Sequence, residues 1–350
     1  MNDGSGLVRI GLVLCSDRKG GLENAFVDMA YALTALGYKV VVFTPGNAPF
    51  RLMMPDSVEF HDYNPKGYWD IFSGYKTRRY IKNNNLELMV TINSRATYTI
   101  AKSVAGLNLP VLGISYSYKH KRMQAADRLV VVTEHMKAHY LQHGWSADNV
   151  DVLPCVLRDF PVEKIPSKPV ESVVKLGFVG RLSPEKGLEE LVEAMSLLIG
   201  KGRTLSLTIA GSGDDEHKIH ALLEQKKLQQ SVVFSGWITD IRKWLKTIDL
   251  LVVPSKEETF GIVVLESMAH GCPVVSTCAP GPASQIEHGV TGWLAETGNA
   301  ESLAKVIDVA LSQADSWEHI IDRARASASK YSIEAQLPKL KNIIQQVLKK

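Results

Sequence analysis

Asp249-Leu-Leu-Val-Val-Pro-Ser255 is followed closely by Glu258-Thr-Phe-Gly-Ile-Val-Val-Leu-Glu266. The first stretch is a continuous apolar run of strand length that stops at Pro254. Behind the second, Ser267-Met-Ala-His-Gly271 reads as a helix tail with glycine at the stop position. The order is therefore strand, loop, helix. Glu258 falls in the loop leaving the strand, and Glu266 falls two turns down the helix. In an open α/β sheet that loop is where ligands bind, and the helix start beside it offers free N–H groups to an anion.

Working outward, the same alternation repeats on both sides. Val8–Cys15 is a strand, Ser16–Gly21 a loop, Leu22–Leu36 a helix with Phe26, Met29, Ala30, Leu33 and Leu36 on one face, and Lys39–Thr44 a strand. Further strands are expected at Val58–Asp62, Leu86–Ile92, Pro110–Ser115, Asp127–Thr133 and Val150–Leu153. Helices are expected at Gly67–Lys82, Ala96–Ala105 and Glu134–His143. Pro154–Ser172 holds four prolines and no periodicity, which is linker composition. A second series then places strands at Val174–Val179, Leu205–Ala210, Val232–Ser235, Leu250–Val253 and Val274–Thr277, with helices starting near Gly187, Asp214, Asp240, Phe260 and Pro282. Trp293 lies in a last short strand, and Leu337–Lys350 is amphipathic. The expected fold is α/β: two Rossmann-like, doubly wound parallel-sheet domains, residues 1–160 and 161–330, facing across a cleft. The C-terminal helix, 331–350, is expected to pack back on the first.

With 350 residues, 45% of them hydrophobic, the chain is long enough for two cores. A net charge of +3 gives no case for nucleic acid. The four cysteines (Cys15, Cys155, Cys272 and Cys278) show no CxxC spacing and read as thiols of a reducing compartment. No apolar run approaches the roughly 20 residues of a membrane span. Ile10–Cys15 is too short for a signal sequence, so a cytoplasmic protein is expected.

Four further stretches carry chemistry. Phe178-Val-Gly-Arg-Leu-Ser-Pro-Glu-Lys-Gly187 puts Arg181 and Lys186 on one loop at a strand end, a fork and a point charge suited to clamping a diphosphate without a metal. Gly20-Gly21-Leu-Glu23 lets backbone N–H groups approach a ligand, although a Gly pair also makes a plain tight turn. Ala210-Gly-Ser-Gly-Asp-Asp215 begins like a dinucleotide fingerprint, but Glu216 occupies the place of the third glycine. Ser235-Gly-Trp-Ile-Thr-Asp240 can hold a base by its backbone, with Trp237 either stacking or sitting in the core. No D-x-D triplet occurs, which argues against a metal-bridged diphosphate.

Together these stretches resemble the retaining glycosyltransferases of GT-B fold in family 4. The resemblance rests on Phe178–Gly187, Ile209–Gly213, Val233–Trp237, Pro254–Glu266, Ala269–Ser276 and Gly289–Leu294, with Gly20–Glu23 matching the family's N-terminal glycine loop. It implies a metal-independent hexosyltransferase without cofactor, in which a nucleotide sugar is the donor. By the same resemblance Arg181 and Lys186 bind the diphosphate, Glu258 contacts the sugar hydroxyls, and the backbone of Thr259, Phe260, Gly261 and Ile262 contacts sugar and phosphate. Glu266 holds the ribose, Gly180 and Trp237 line the donor, and Gly21, beside Gly20, approaches the diphosphate from the first domain. The family often carries a histidine just after the strand expected at Pro110–Ser115. Here Tyr116 aligns with it, so either His120 reaches the reacting sugar from a shifted loop or no histidine serves.

The acceptor implied is a glycan or lipid-linked sugar of surface polysaccharide or lipopolysaccharide synthesis. Lys66, Lys76, Arg78, Arg79, Lys119, Lys121 and Arg122 form either a surface for anionic membrane or a solubilising face. The turn Ala279–Gln285 resembles those of enzymes using UDP-hexoses, which favours UDP. A nucleotide-sugar epimerase of the same fold would need an acid/base set that is not seen. A phosphorylase would need a pyridoxal lysine motif and greater length. A non-catalytic nucleotide-sugar-binding protein would have no need of the full Arg–Lys–Glu–Glu set.

Overall fold

The computed structural model describes residues 7–161 and 172–349. It divides into two compact units, Met1–Arg158 with Tyr331–Lys350, and Asp159–Lys330. The division falls between Arg158 and Asp159 rather than at residue 160 because the start of the proline-rich stretch is not linker. Val156 and Leu157 are buried, and Leu157 forms a bridge with Ser332. Its N–H donates to Tyr331 O at 2.7 Å, and Ile333 N donates back to Leu157 O at 3.0 Å. The remainder of the expected linker, 162–171, lies outside the described residues.

The first unit contains strands β1 (Arg9–Val13), β2 (Lys39–Thr44), β3 (Glu59–Asp62), β4 (Leu88–Ile92), β5 (Val111–Ser115), β6 (Arg128–Val131) and β7 (Val150–Val152). Helices α1 (Gly21–Ala35), α2 (Ile71–Asn83), α3 (Asn93–Val104) and α4 (Glu134–Gln142) connect them. The sheet order is β3-β2-β1-β4-β5-β6-β7, parallel throughout, with Ile10 opposite Val40 on one side and Leu88 on the other. Both faces of the central strands are covered, so β1, β2, β4 and β5 read as nearly unbroken apolar runs rather than alternating ones, whereas the edge strand β3 is largely exposed. The period of two survives in the packing: Ile10, Leu12, Val40 and Val42 meet Phe26 and Leu33 on one face. Val41, Phe43 and Met89 meet Ala96 and Ile100 on the other.

The second unit contains β8 (Val174–Val179), β9 (Leu205–Ala210), β10 (Val232–Gly236), β11 (Leu250–Val253), β12 (Val274–Thr277) and β13 (Trp293–Ala295). Its helices are α5 (Leu188–Gly200), α6 (Glu216–Lys226), α7 (Ile241–Leu245), α8 (Ile262–Ala269), α9 (Pro280–Ala283), α10 (Ala300–Ser312) and α11 (Trp317–Ala328). The order is β10-β9-β8-β11-β12-β13, again all parallel. Leu176, Phe178, Leu250 and Val252 pack with Leu191, Met195, Ile307 and Trp317 in its core. Strand order reverses at β1/β4 in the first unit and at β8/β11 in the second, so each sheet has one switch point.

Helix α12 (Ile333–Leu348) returns to the first unit, capped by Ser332, whose hydroxyl accepts from Ala335 N. Leu340, Ile343, Ile344 and Val347, spaced for one helical face, join the core of β1, β2 and β4. None of the four cysteines forms a disulfide; Cys155 and Cys272 are buried and Cys278 is exposed. No helix among the described residues is long and apolar enough to cross a membrane.

Candidate active site

In the second unit the loops leaving β8 and β11 flank the switch point, the place where an open parallel sheet leaves a crevice for ligands. The β8 loop is held by its neighbours: Gly180 N donates to Ala210 O at 3.0 Å and Leu182 N to Ser212 O at 3.1 Å. The Ser183 hydroxyl donates to Glu185 Oε1 at 2.7 Å. Gly187 then turns the chain into α5 with φ +69°, and a Cβ there would lie 2.0 Å from the carbonyl oxygen of Pro254. Only glycine allows both the left-handed turn and that approach. The two loops are further joined by Lys256 N donating to Glu185 O at 2.8 Å, and by an ion pair of 2.6 Å between Lys256 Nζ and Glu190 Oε1. The result is that Lys186 Nζ sits 2.6 Å from Glu258 Oε2, with the two side chains 25% and 14% exposed.

The backbone of the carboxylate loop is fixed from its far side. Gly281 N donates to Glu258 O at 2.9 Å, and the Gln285 amide donates to Phe260 O at 2.5 Å. Gly281 packs so closely that a Cβ would lie 2.5 Å from Phe260 O. The turn Ala279–Gln285, read from sequence as a hint to the nucleotide, therefore buttresses the loop that carries Glu258. Phe260 is buried, and Gly261, at φ +81°, caps α8. Because this left-handed cap delays the helix to Ile262, Glu266 lies about one turn into α8 rather than two. Its carbonyl accepts from His270 N at 3.0 Å and from His270 Nδ1 at 2.8 Å. Thr259, Ile262 and the Glu266 side chain are half-buried.

The other expected residues separate into groups. Arg181 shares the loop of Lys186 but is exposed, and it pairs with no carboxylate among the described residues. Trp237 is 52% exposed after the left-handed Gly236, which removes the core reading of that tryptophan. In the first unit Gly20 and Gly21 open α1, and Asn24 N donates to Gly20 O at 3.1 Å. His120 stacks on His143 at 3.8 Å between ring centroids, and Tyr116 packs against the core.

Three residues in these places escape a reading of the sequence. Glu23, one turn into α1, is 5% exposed and accepts the Ser16 hydroxyl at 2.6 Å. Gln285 and Glu190 act on the carboxylate loop from elements well separated in sequence. An acid two residues past a Gly-Gly turn is the one available signal among them. Chemically, the second unit offers a cation and a carboxylate locked together beside an exposed guanidinium. That is an arrangement for binding and orienting a polar anionic ligand, and neither acid is placed as a proton donor.

A second feature belongs to the first unit. Trp69, Ile71, Phe72 and Tyr75 are all more than 60% exposed around the start of α2, whose buried face is Thr77 and Ile81. Trp69, Ile71 and Tyr75 border a cavity of about 310 Å³ that also involves Tyr63, Arg78 and Lys102. Lys102 Nζ lies 3.5 Å over the Trp69 ring and Arg122 Cζ 3.7 Å over that of Tyr68. Arg78 donates to the carbonyls of Ser103 and Ala105, so it caps the end of α3 instead of standing free. Lys66, Lys76, Arg79, Lys119 and Lys121 are exposed.

A profile described as Glycosyltransferase Family 4 matches residues 19–157, and one described as Glycosyl transferases group 1 matches residues 160–327. An uncharacterized glycosyltransferase of Haemophilus influenzae is 25% identical over 344 residues, spanning 93% of this chain and 96% of that one. The lipopolysaccharide core biosynthesis glycosyltransferase LpsE of Rhizobium meliloti is 35% identical over 130 residues, 37% of each chain. Among solved structures, Anabaena HepE in complex with UDP and glucose superposes with a TM-score of 0.85 at 18% identity, covering 97% of this chain and 100% of that one. The fold and these matches define a glycosyltransferase of the GT-B class. The chain belongs to the group 1, family 4 glycosyltransferases.

Proposed function

We propose that the protein is a retaining, metal-independent hexosyltransferase that moves a sugar from a UDP-linked donor to a glycan or lipid-linked acceptor of a surface polysaccharide. The observation that carries this reading is the Lys186–Glu258 pair at the β8/β11 switch point, with Arg181 on the same loop. Arg181 and Lys186 supply the positive charge that stabilises a departing nucleoside diphosphate, and such preorganised charge is commonly the largest single contribution to this kind of catalysis. Glu258 orients the sugar hydroxyls, the backbone of Thr259–Ile262 meets sugar and phosphate, and Glu266 holds the ribose. Gly180 and the exposed Trp237 border the donor. In the first unit the Gly20–Gly21 turn presents backbone N–H groups to an anion. His120 is given no step, since its ring faces other histidines.

UDP is supported by the Anabaena HepE structure, which holds UDP, and a polysaccharide acceptor by the role named for LpsE. The exposed aromatic start of α2, with Lys66, Lys76 and Arg79 exposed on or just before that helix, suits a cytoplasmic enzyme resting on an anionic membrane where lipid-linked acceptors lie. Incubation with a panel of nucleotide sugars, in the presence of EDTA, tests the reading by release of nucleoside diphosphate. Release from a UDP-hexose with inverted product stereochemistry would overturn the retaining assignment. No release from any donor with a range of acceptors would overturn the whole.

A further inference from the structure

Apart from the carboxylate loop, the described residues contain one group with the chemistry of a metal site: His120, His139 and His143. One ring nitrogen of each lies within 4.8 Å of one from each of the others, and all three side chains are half-buried. The placement follows from topology. His139 lies on α4 and His143 is its C-cap, four residues on, so both rings project from one face. His120 arrives from the loop after β5 and lies with its ring 3.8 Å from that of His143 and 5.5 Å from that of His139.

Two backbone carbonyls fix the tautomers. His139 Nε2 is 3.0 Å from Tyr118 O, and His143 Nδ1 is 2.7 Å from His139 O. A carbonyl can only accept, so those nitrogens carry the hydrogen and leave Nδ1 of His139 and Nε2 of His143 with lone pairs. Backbone carbonyls hold metal-binding histidines in this manner. His120 Nδ1 is buried with no hydrogen-bond partner among the described residues. No carboxylate belongs to the group, which disfavours magnesium and calcium; imidazole alone selects zinc, copper or nickel.

We propose that His120, His139 and His143 bind one divalent transition-metal ion, zinc by preference, with a fourth position left open to solvent. Tetrahedral zinc with bonds of about 2.0–2.1 Å needs nitrogens roughly 3.3 Å apart, so nitrogens now within 4.8 Å of one another approach by up to about 1.5 Å. The ion joins the loop after β5 to α4. The site belongs to the first unit and is assigned no step in sugar transfer.

The test uses the full chain with any affinity tag removed, titrated with ZnCl2 against a chromophoric chelator and, separately, with CoCl2 for its visible absorption. Expected are one equivalent bound at about micromolar Kd or tighter, tetrahedral cobalt bands, and a rise in melting temperature with zinc. His120→Gln, His139→Gln and His143→Gln should each weaken binding at least tenfold, while His135→Gln, a neighbouring histidine outside the set, should not. His120→Gln lies in a loop and leaves α4 intact, so it decides the matter even if a helix variant fails to fold. Zinc binding weaker than about 100 µM, or unchanged affinity in His120→Gln, overturns the proposal.

Discussion

Lys186 Nζ and Glu258 Oε2 stand 2.6 Å apart although they come from different strand ends of the sheet, 72 residues apart in sequence. The cation assigned to the phosphate and the acid assigned to the sugar are thus one unit. Removing either changes the other: Glu258→Ala frees a lysine for the anion, and Lys186→Ala leaves a poorly solvated carboxylate facing it.

Glu258→Ala is therefore expected to lower kcat by about a hundredfold or more while leaving UDP affinity within about threefold of the wild type. Lys186→Ala should weaken UDP and kcat together, and the double variant should lose much less than the sum of the two. Glu266→Ala should act on affinity instead, by roughly tenfold or more if a charge-assisted hydrogen bond to the ribose is lost. Calorimetric UDP binding and steady-state rates on the same samples check all four variants. Additive losses in the double variant would show that the pair is not coupled.

Gly187→Ala combines two penalties. A left-handed turn costs a non-glycine residue roughly 1–2 kcal/mol, and the added carbon would overlap Pro254 O, 2.0 Å away. The loops must separate, so a lower melting temperature by several degrees and loss of donor turnover are both expected. A variant that melts and turns over like the wild type would mean the loops can part freely.

Stability should fall in mild acid. Burial holds His61 and His270 below the ordinary histidine value near 6.5. The unfolded chain then binds more protons than the folded one as pH drops through that value, so the folded state is favoured above it and loses ground below it. Urea midpoints should decline between pH 7.5 and pH 5.5, and His270→Gln should flatten part of that slope. An unchanged slope in His270→Gln would place the effect elsewhere.

Exposure of Trp69, Ile71 and Phe72 around the start of α2 predicts partition onto anionic vesicles. Burying an aromatic ring in an interface contributes up to about 1.5–3 kcal/mol, so Trp69→Ser with Phe72→Ser should reduce binding about tenfold or more. Arg78→Ser should act mainly on stability, because that guanidinium caps α3. Sedimentation with phosphatidylglycerol vesicles separates the two, and equal binding by the aromatic double variant would remove the membrane reading.

Much of the fold is legible because its central strands are buried on both faces. Val174–Val179 and Leu250–Val253 need no partner to be recognised as core strands. Where local geometry intervenes, the reading slips. Helix α2 begins at Ile71 rather than Gly67 because the Asp70 carboxylate caps it, accepting from Ser73 N. Helix α3 starts at Asn93, earlier than its apolar spacing suggests, with that asparagine at φ +69°. At the candidate site, the residue types on the two loops are visible in sequence, but their pairing is not. Lys186 could as well have faced solvent, and it is the joining of the two loops, by the close approach of Gly187 to Pro254 and by Lys256 bonding to Glu185 O, that brings it to Glu258. His120 stands out singly in the sequence, but its grouping with His139 and His143 does not, since it meets α4 only through the order of β5 and β6.

The bridge between Leu157 and Ser332, and the docking of Ile343, Ile344 and Val347 beside β1, bear on the order in which the protein is made. Synthesis runs from the N-terminus, and domains generally fold as they emerge. Here the half that is begun first is finished last: its core lacks five apolar side chains (Ile333, Leu340, Ile343, Ile344 and Val347) until α12 has left the ribosome. The Asp159–Lys330 unit has its whole sequence by then. A chain stopped after Lys330 would carry a complete second unit and an open first core, which makes the last twenty residues a gate on completion rather than a tail.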